Sequence, residues 1–204
     1  GVSKSKADEK PYHCHVWSIP DGKEIVTYRG HDNVVIATAV SPDGRVVATG
    51  GGNKRSIHLW SLRDGKLQQR LSGVGAAIWA VGFSSDGREL GWGKTWTQHD
   101  PAKGYGPLEN TITLPAKAEA LDSKQFLGTP RKLSGSNRDF SRAQDKWRDW
   151  TLRTRKGGNY GYQAILDIRQ QNRTVASIER EPHEGYRHRS YTFTPDGERI
   201  ISGG

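Results

Sequence analysis

Four groups of residues in this chain have types and spacings that suggest chemistry. His13-Cys14-His15 offers three metal-ligating side chains in a row. Gly50-Gly51-Gly52-Asn53-Lys54-Arg55-Ser56 is glycine-rich and basic, as a phosphate-cradling loop would be. From Arg131 to Lys156 nine Lys or Arg stand against three Asp, with Trp147 and Trp150 among them. Cations interleaved with aromatics can hold phosphates while bases stack on the rings. Acidic residues such as Glu179, Glu181 and Glu184 fall close together, but with no matched partner for acid-base work.

What positions these residues is a repeat. Val16-Trp17-Ser18 returns as Leu59-Trp60-Ser61, and Asp21-Gly22-Lys23 returns as Asp64-Gly65-Lys66, each 43 positions on. Ser41-Pro42-Asp43-Gly44-Arg45 returns at the same spacing as Ser84-Ser85-Asp86-Gly87-Arg88. A period of about 40–45 residues with short strands and a Trp per unit marks a propeller blade. Each unit parses as four strands. In the first full unit these are Val34 to Val40, Arg45 to Thr49, Ser56 to Trp60 and Lys66 to Leu71, separated by Pro- and Gly-bearing turns. The first strand is apolar on both faces, with Val35, Ala37 and Ala39 one way and Val34, Ile36 and Val40 the other, as an inner strand between two layers requires.

The register disposes of two of the four groups. Cys14 aligns with Ile57, a core aliphatic, and successive residues on a strand point to opposite faces, so the three ligands do not converge on one ion. The glycine-rich run links two strands, whereas a P-loop needs a following helix. No metal site, cofactor or catalytic residue is expected, and no Ser-His-Asp order emerges from seven histidines.

These features resemble the WD-repeat family of β-propellers. Gly30-His31 stands where that family carries its Gly-His pair, and Val16-Trp17-Ser18 and Leu59-Trp60-Ser61 stand at its Trp-Asp position, with Ser for Asp. The family's buried Asp-His-Ser/Thr-Trp network would use His31 and Trp60. Its Asp has no match, because Asn53 and Lys54 occupy that stretch, and Val74 replaces the His one unit later. Thr194-Pro195-Asp196-Gly197 restarts the unit after Tyr191 and Phe193. Lys156 to Tyr162 and Ala164 to Ile168 look like a subgroup of bacterial WD-repeat proteins that often carry a caspase-like peptidase domain elsewhere in the chain. No peptidase residue carries over.

The expected fold is all-β, a partial propeller of about four WD-type blades of four antiparallel strands each, forming an open arc. It comprises regular blades over 11–93, irregular blades with insertions over 94–185, and the start of a further blade over 186–204. Two periods separate Ser84-Ser85-Asp86-Gly87 from Thr194-Pro195-Asp196-Gly197, with about two dozen extra residues. The extra residues include the loop Thr95 to Pro107, followed by a strand from Asn110 to Leu114; Ser141 to Asp149 reads as strand or as a short helix. Trp17, His31 and Trp60, with the turn pairs Asp43-Gly44, Asp86-Gly87 and Asp196-Gly197, are the expected structural residues.

The expected function is a non-catalytic scaffold or sensor module for a protein partner. The anchors would be His31, Asp32, Lys54, Arg55, Trp96, His99, Tyr105, Tyr186 and Arg187, in loops that cluster on one face. The runner-up is a nucleic-acid-binding surface centred on 131–156, suggested by a net charge of +9. An open arc also leaves blade edges for self-association. No run of eighteen apolar residues suggests a membrane span. The chain reads as a fragment of a longer protein. Without a visible signal peptide, and with Cys14 as its one cysteine, a cytoplasmic location is expected.

Overall fold

The computed structural model describes residues 12–51, 55–73, 76–97, 100–102, 104–115, 131–132, 139–157, 161–180 and 187–204. Every element among them is a strand. Strands β1 (Cys14–Ser18) and β2 (Glu24–Tyr28) come first. They are followed by β3 (Val35–Val40), β4 (Val46–Gly51), β5 (Ile57–Ser61) and β6 (Leu67–Leu71), which form blade 1 in that order. Blade 2 holds β7 (Ala80–Ser84), β8 (Glu89–Gly93), β9 (Asn110–Thr113) and β10 (Arg131–Lys132), with β11 (Phe140–Ser141) added beside β7 as a fifth strand. Blade 3 is β12 (Lys146–Trp147), β13 (Trp150–Gly157), β14 (Gly161–Gln170) and β15 (Arg173–Glu179). The last strands, β16 (Ser190–Phe193) and β17 (Arg199–Gly203), join β1 and β2 to make blade 4 in the order β16-β17-β1-β2.

Four antiparallel blades are therefore present, and blade 4 refines the expected arc. Its halves come from opposite ends of the described chain and pair in a continuous register, from Cys14↔Gly203 to Ser18↔Arg199. An open arc was expected to leave edge strands unpaired, and β1 and β17 cover each other's edges. Loops also cover β16, whose Tyr191 N–H donates to Pro101 O and whose Phe193 N–H donates to Gln144 O. The stretch Ser141 to Asp149 is extended and turned, not helical, because β11 and β12 take its backbone into two sheets.

Three apolar cores lie between the blades. Ala37, Ala39, Ile57 and Leu71 of blade 1 meet Ile78, Phe83, Leu90 and Trp92 on the blade 2 side. Cys14, Val16 and Tyr28 of blade 4 meet Val35, Val40, Val47 and Trp60 of blade 1. Trp17, Phe193 and Ile200 of blade 4 meet Leu152, Leu166 and Ile168 of blade 3. As an inner strand between two layers should be, β3 is buried along its whole length. One detail of its faces differs from the alternation expected: a register shift between Val35 and Ala37 turns Val35 to the blade 4 side.

The repeated turns share one hydrogen-bond grammar. Ser41, Ser84 and Thr194 hydroxyls each donate to the Asp two residues on, and that Asp accepts the backbone N–H of Arg45, Arg88 or Glu198 at 3.0–3.1 Å. Gly44, Gly87 and Gly197 follow with φ of 69°, 71° and 74°, a region that disfavours any Cβ. Their surroundings differ. A Cβ on Gly44 would meet nothing within 4 Å, whereas one on Gly197 would lie 2.1 Å from the Trp147 ring. We expect Gly44→Ala to cost about 1 kcal/mol, the backbone term alone. Gly197→Ala must also displace an indole from the seam of blades 3 and 4, for about 2–4 kcal/mol. Urea unfolding of the two variants side by side checks this; equal losses would mean that the Trp147 contact is unimportant.

Candidate partner-binding site

The loop between β2 and β3 delivers Arg29, Gly30, His31 and Asp32 to one end of blade 1. Ser56, just before β5, and His58 within it reach the same end, as does Arg70 from β6. Together these seven residues line a polar pocket of about 200 Å³. Gly30 is required for the close approach, since a Cβ there would sit 2.0 Å from the Tyr28 hydroxyl oxygen. We expect Gly30→Ala to push Tyr28 off its partners and cost about 2–3 kcal/mol, readable as a lower melting temperature and an altered His58 ring resonance.

Below the pocket lies a stack of rings. His31 and His58 lie face to face at 3.9 Å with 7° between planes, and Tyr28 stacks on Trp60 at 5.0 Å. The Tyr28 hydroxyl is 2.6 Å from His58 Nδ1, and His58 Nε2 is 3.0 Å from Ser56 Oγ. A second chain of bonds runs from Trp60 Nε1–H to Thr49 Oγ1 at 3.1 Å and on to His31 Nε2 at 2.8 Å. An indole nitrogen only donates, so the Thr49 oxygen accepts from Trp60 while the same hydroxyl pairs with His31 Nε2.

Burial, then the charges of His58 and Arg70, hold His31 well below the usual histidine range. Burial and Arg70 bring His58 down to about 4, against a smaller upward pull from Asp32. Both rings are neutral at pH 7. The charge at the pocket comes from Arg29 and Arg70, opposed by Asp32.

The structure sorts the other residues named from the sequence. Trp96 is 54% exposed on the loop after β8, and Arg55 and Arg187 are half-buried. Tyr105 is a correction, because it is buried and its hydroxyl donates to Arg189 O at 2.7 Å. It anchors its loop to the chain before β16 and presents no surface. Lys54, His99 and Tyr186 lie outside the described residues. Trp17 and Trp60 are buried, with Trp17 Nε1–H donating to Ser202 Oγ at 2.9 Å. Trp147 and Trp150 pack against the core of blades 3 and 4, and Trp147 Nε1–H donates to Pro195 O. Cys14 is buried in the core between blades 4 and 1, and burial pushes its thiol up to about 12.

Sequence reasoning did not single out Tyr28, Ser56 or Arg70 for this site. The available signal was a break in the repeat, since Tyr28 occupies the place of Leu71 in the next unit. A larger groove of about 1090 Å³ lies between blades 1 and 2, walled by Val46, Leu59, Phe83 and Leu114. Gln68, Gln69, Arg70 and Arg88 line it as well, so the wall is mixed, and Asp43 and Asp86 at its rim accept bonds inside their own turns. Among the described residues no cluster of three or more His, Cys, Asp or Glu could hold a metal ion, and no helix could cross a membrane.

A family model described as WD domain, G-beta repeat matches residues 22–61, which run from the outer turn of blade 4 through β5 of blade 1. No curated protein matches the chain. Matching solved structures include the crystal structure of the WD40 beta propeller domain of Doa1, 26% identical, with a TM-score of 0.37. That match covers 40% of this chain and 27% of the other. Residues 22–61, at the junction of blades 4 and 1, thus match a WD-type repeat, and the turn grammar of that repeat recurs in blades 2 and 4.

Proposed function

We propose that the chain is a non-catalytic interaction module that holds a protein partner at the loops carrying His31, Asp32, Arg55, Trp96 and Arg187. The observation that supports this most directly is the pocket at the end of blade 1. Its floor is a stacked and hydrogen-bonded set of buried rings, and its rim carries charged side chains. A rigid floor lowers the ordering cost of binding, which is how a small contact gains affinity. The exposed indole of Trp96 supplies the kind of aromatic anchor that dominates protein interfaces.

Peptides enriched by display against the 204-residue chain test this reading. Their binding should weaken about tenfold or more in Asp32→Ala or Trp96→Ala, with melting temperatures little changed. Enriched peptides indifferent to every loop variant would move the interaction off this face. Tight, salt-sensitive binding of single-stranded nucleic acid, with no peptide enriched, would replace the reading altogether.

A further inference from the structure

We infer that the blade 1 pocket is a receptor for a single anionic side chain of a protein partner, a carboxylate or a phosphate monoester, with Arg70 as its main counter-charge. This rests on the scaffold reading and names the chemistry that one part of the surface selects.

Size comes first. Small-molecule sites usually occupy about 300–1,000 Å³, so a pocket of about 200 Å³ holds the tip of one side chain rather than a whole ligand. The lining then sets the charge. Two guanidinium groups, Arg29 and Arg70, face one carboxylate, Asp32, and the remaining side chains, His31, Ser56 and His58, are uncharged at pH 7. The pocket is positive within a chain of net charge +9.

Arg29 is held in place, its Nη1–H group donating to the His13 ring at 3.1 Å. Arg70 is exposed, lies opposite His58 in the strand register and lines the pocket. It shares the pocket lining with His31 and His58, and its charge acts on both rings and on Tyr28. Among the described residues it makes no ion pair. A planar fork of donors beside a rigid polar floor matches an oxyanion, which accepts two parallel N–H bonds from one arginine. The buried Ser56 hydroxyl, bonded to His58, stands on the same lining.

Two probes test this on the whole 204-residue chain, acetyl-glutamate amide and acetyl-phosphoserine amide, followed by the imidazole nitrogen resonances of His31 and His58. Saturable shifts confined to these rings are expected, with half-saturation near or below about 10 mM. The better of the two probes assigns the source as a carboxylate or a phosphate, and equal affinity assigns a general oxyanion site. Arg70→Gln should weaken binding about tenfold, whereas Arg70→Lys should retain part of it. Both substitutions fall at an exposed position and should melt like the parent. The inference is overturned if neither probe shifts the rings, or if Arg70→Gln binds both as the parent does. Probe binding together with failure of every displayed peptide would leave the pocket standing and remove the scaffold reading. Enriched peptides that bind through the loops with no ring shift from either probe would do the reverse.

Discussion

Between pH 7 and pH 5 the chain should lose stability on the order of 8 kcal/mol, enough to unfold most single domains. Four histidines drive this. His15, His31, His58 and His188 are all buried, and burial is the leading cause that depresses each of them. Arg180 adds to the effect at His15 and His188, and Arg70 at His31 and His58. His15 and His58 reach about 4; Glu24, 2.7 Å from His15 Nδ1, opposes part of the shift there. In the unfolded chain each ring titrates near its ordinary value of about 6.5. Below that pH the unfolded state binds protons that the folded state refuses, so stability falls as pH falls. The slope is about 1.4 kcal/mol per pH unit for each ring and persists, for His15 and His58, until the folded rings titrate near pH 4.

At pH 5 each ring then contributes a loss of about 2 kcal/mol. The turn carboxylates Asp43, Asp64 and Asp86 are held below 3.8, chiefly by hydrogen bonds from Ser41, Ser61 and Ser84, so their contribution is lost only at lower pH. Thermal melts at half-unit steps from pH 7.5 to 5 should show the midpoint dropping by about 20 °C or more. His188→Leu should remove about a quarter of the pH slope, although it also frees Ile178 O, its bonding partner at 3.1 Å. A midpoint flat to pH 5 would mean that the folded rings take up protons as readily as the unfolded ones.

The elements inside a repeat could be read from the chain because each carries its own local cause. Asp43-Gly44, Asp86-Gly87 and Asp196-Gly197 make the same turn because Ser or Thr two residues earlier binds the Asp and Gly takes the positive φ. Pairings set by tertiary contact left no such mark. Nothing near Cys14 indicates that its strand will meet Gly203, since both sides of that seam read as ordinary half-blades. A two-residue strand such as β11 is too short to show a period of two. Tyr105 shared a loop with Trp96, and only the bond to Arg189 O separates a buried anchor from an exposed ring. The site shows the same division. His31 and Asp32 stood out by type and position, whereas Arg70 gained its place from the register that sets it opposite His58.

Thr49→Val should be the most damaging near-isosteric change in the chain, costing about 2–5 kcal/mol through two orphaned groups rather than a cavity. Thr49 is fully buried and its hydroxyl is the single link between Trp60 Nε1–H and His31 Nε2. Valine keeps the volume, so the losses are the indole N–H, which can only donate, and the imidazole nitrogen that pairs with the same hydroxyl. Each is enclosed, Trp60 at 0% and His31 at 4% exposure, so water cannot replace the hydroxyl. Thr49→Ser separates the two contributions: it keeps the hydroxyl, removes one methyl group and should cost about 1 kcal/mol. Urea unfolding gives the energies. Ring resonances give the mechanism, because parent and Thr49→Ser should share one His31 tautomer, while Thr49→Val frees the ring to change it. If Thr49→Val were as stable as Thr49→Ser, the hydroxyl would be dispensable, and the stacking of Tyr28 on Trp60 with the apolar seam of blades 4 and 1 would hold this end of the blade alone. If it falls as expected, the floor of the candidate pocket is held by polar satisfaction. The same substitution should then blunt the response of the His31 and His58 rings to an anionic probe, through a residue that lines no part of the pocket.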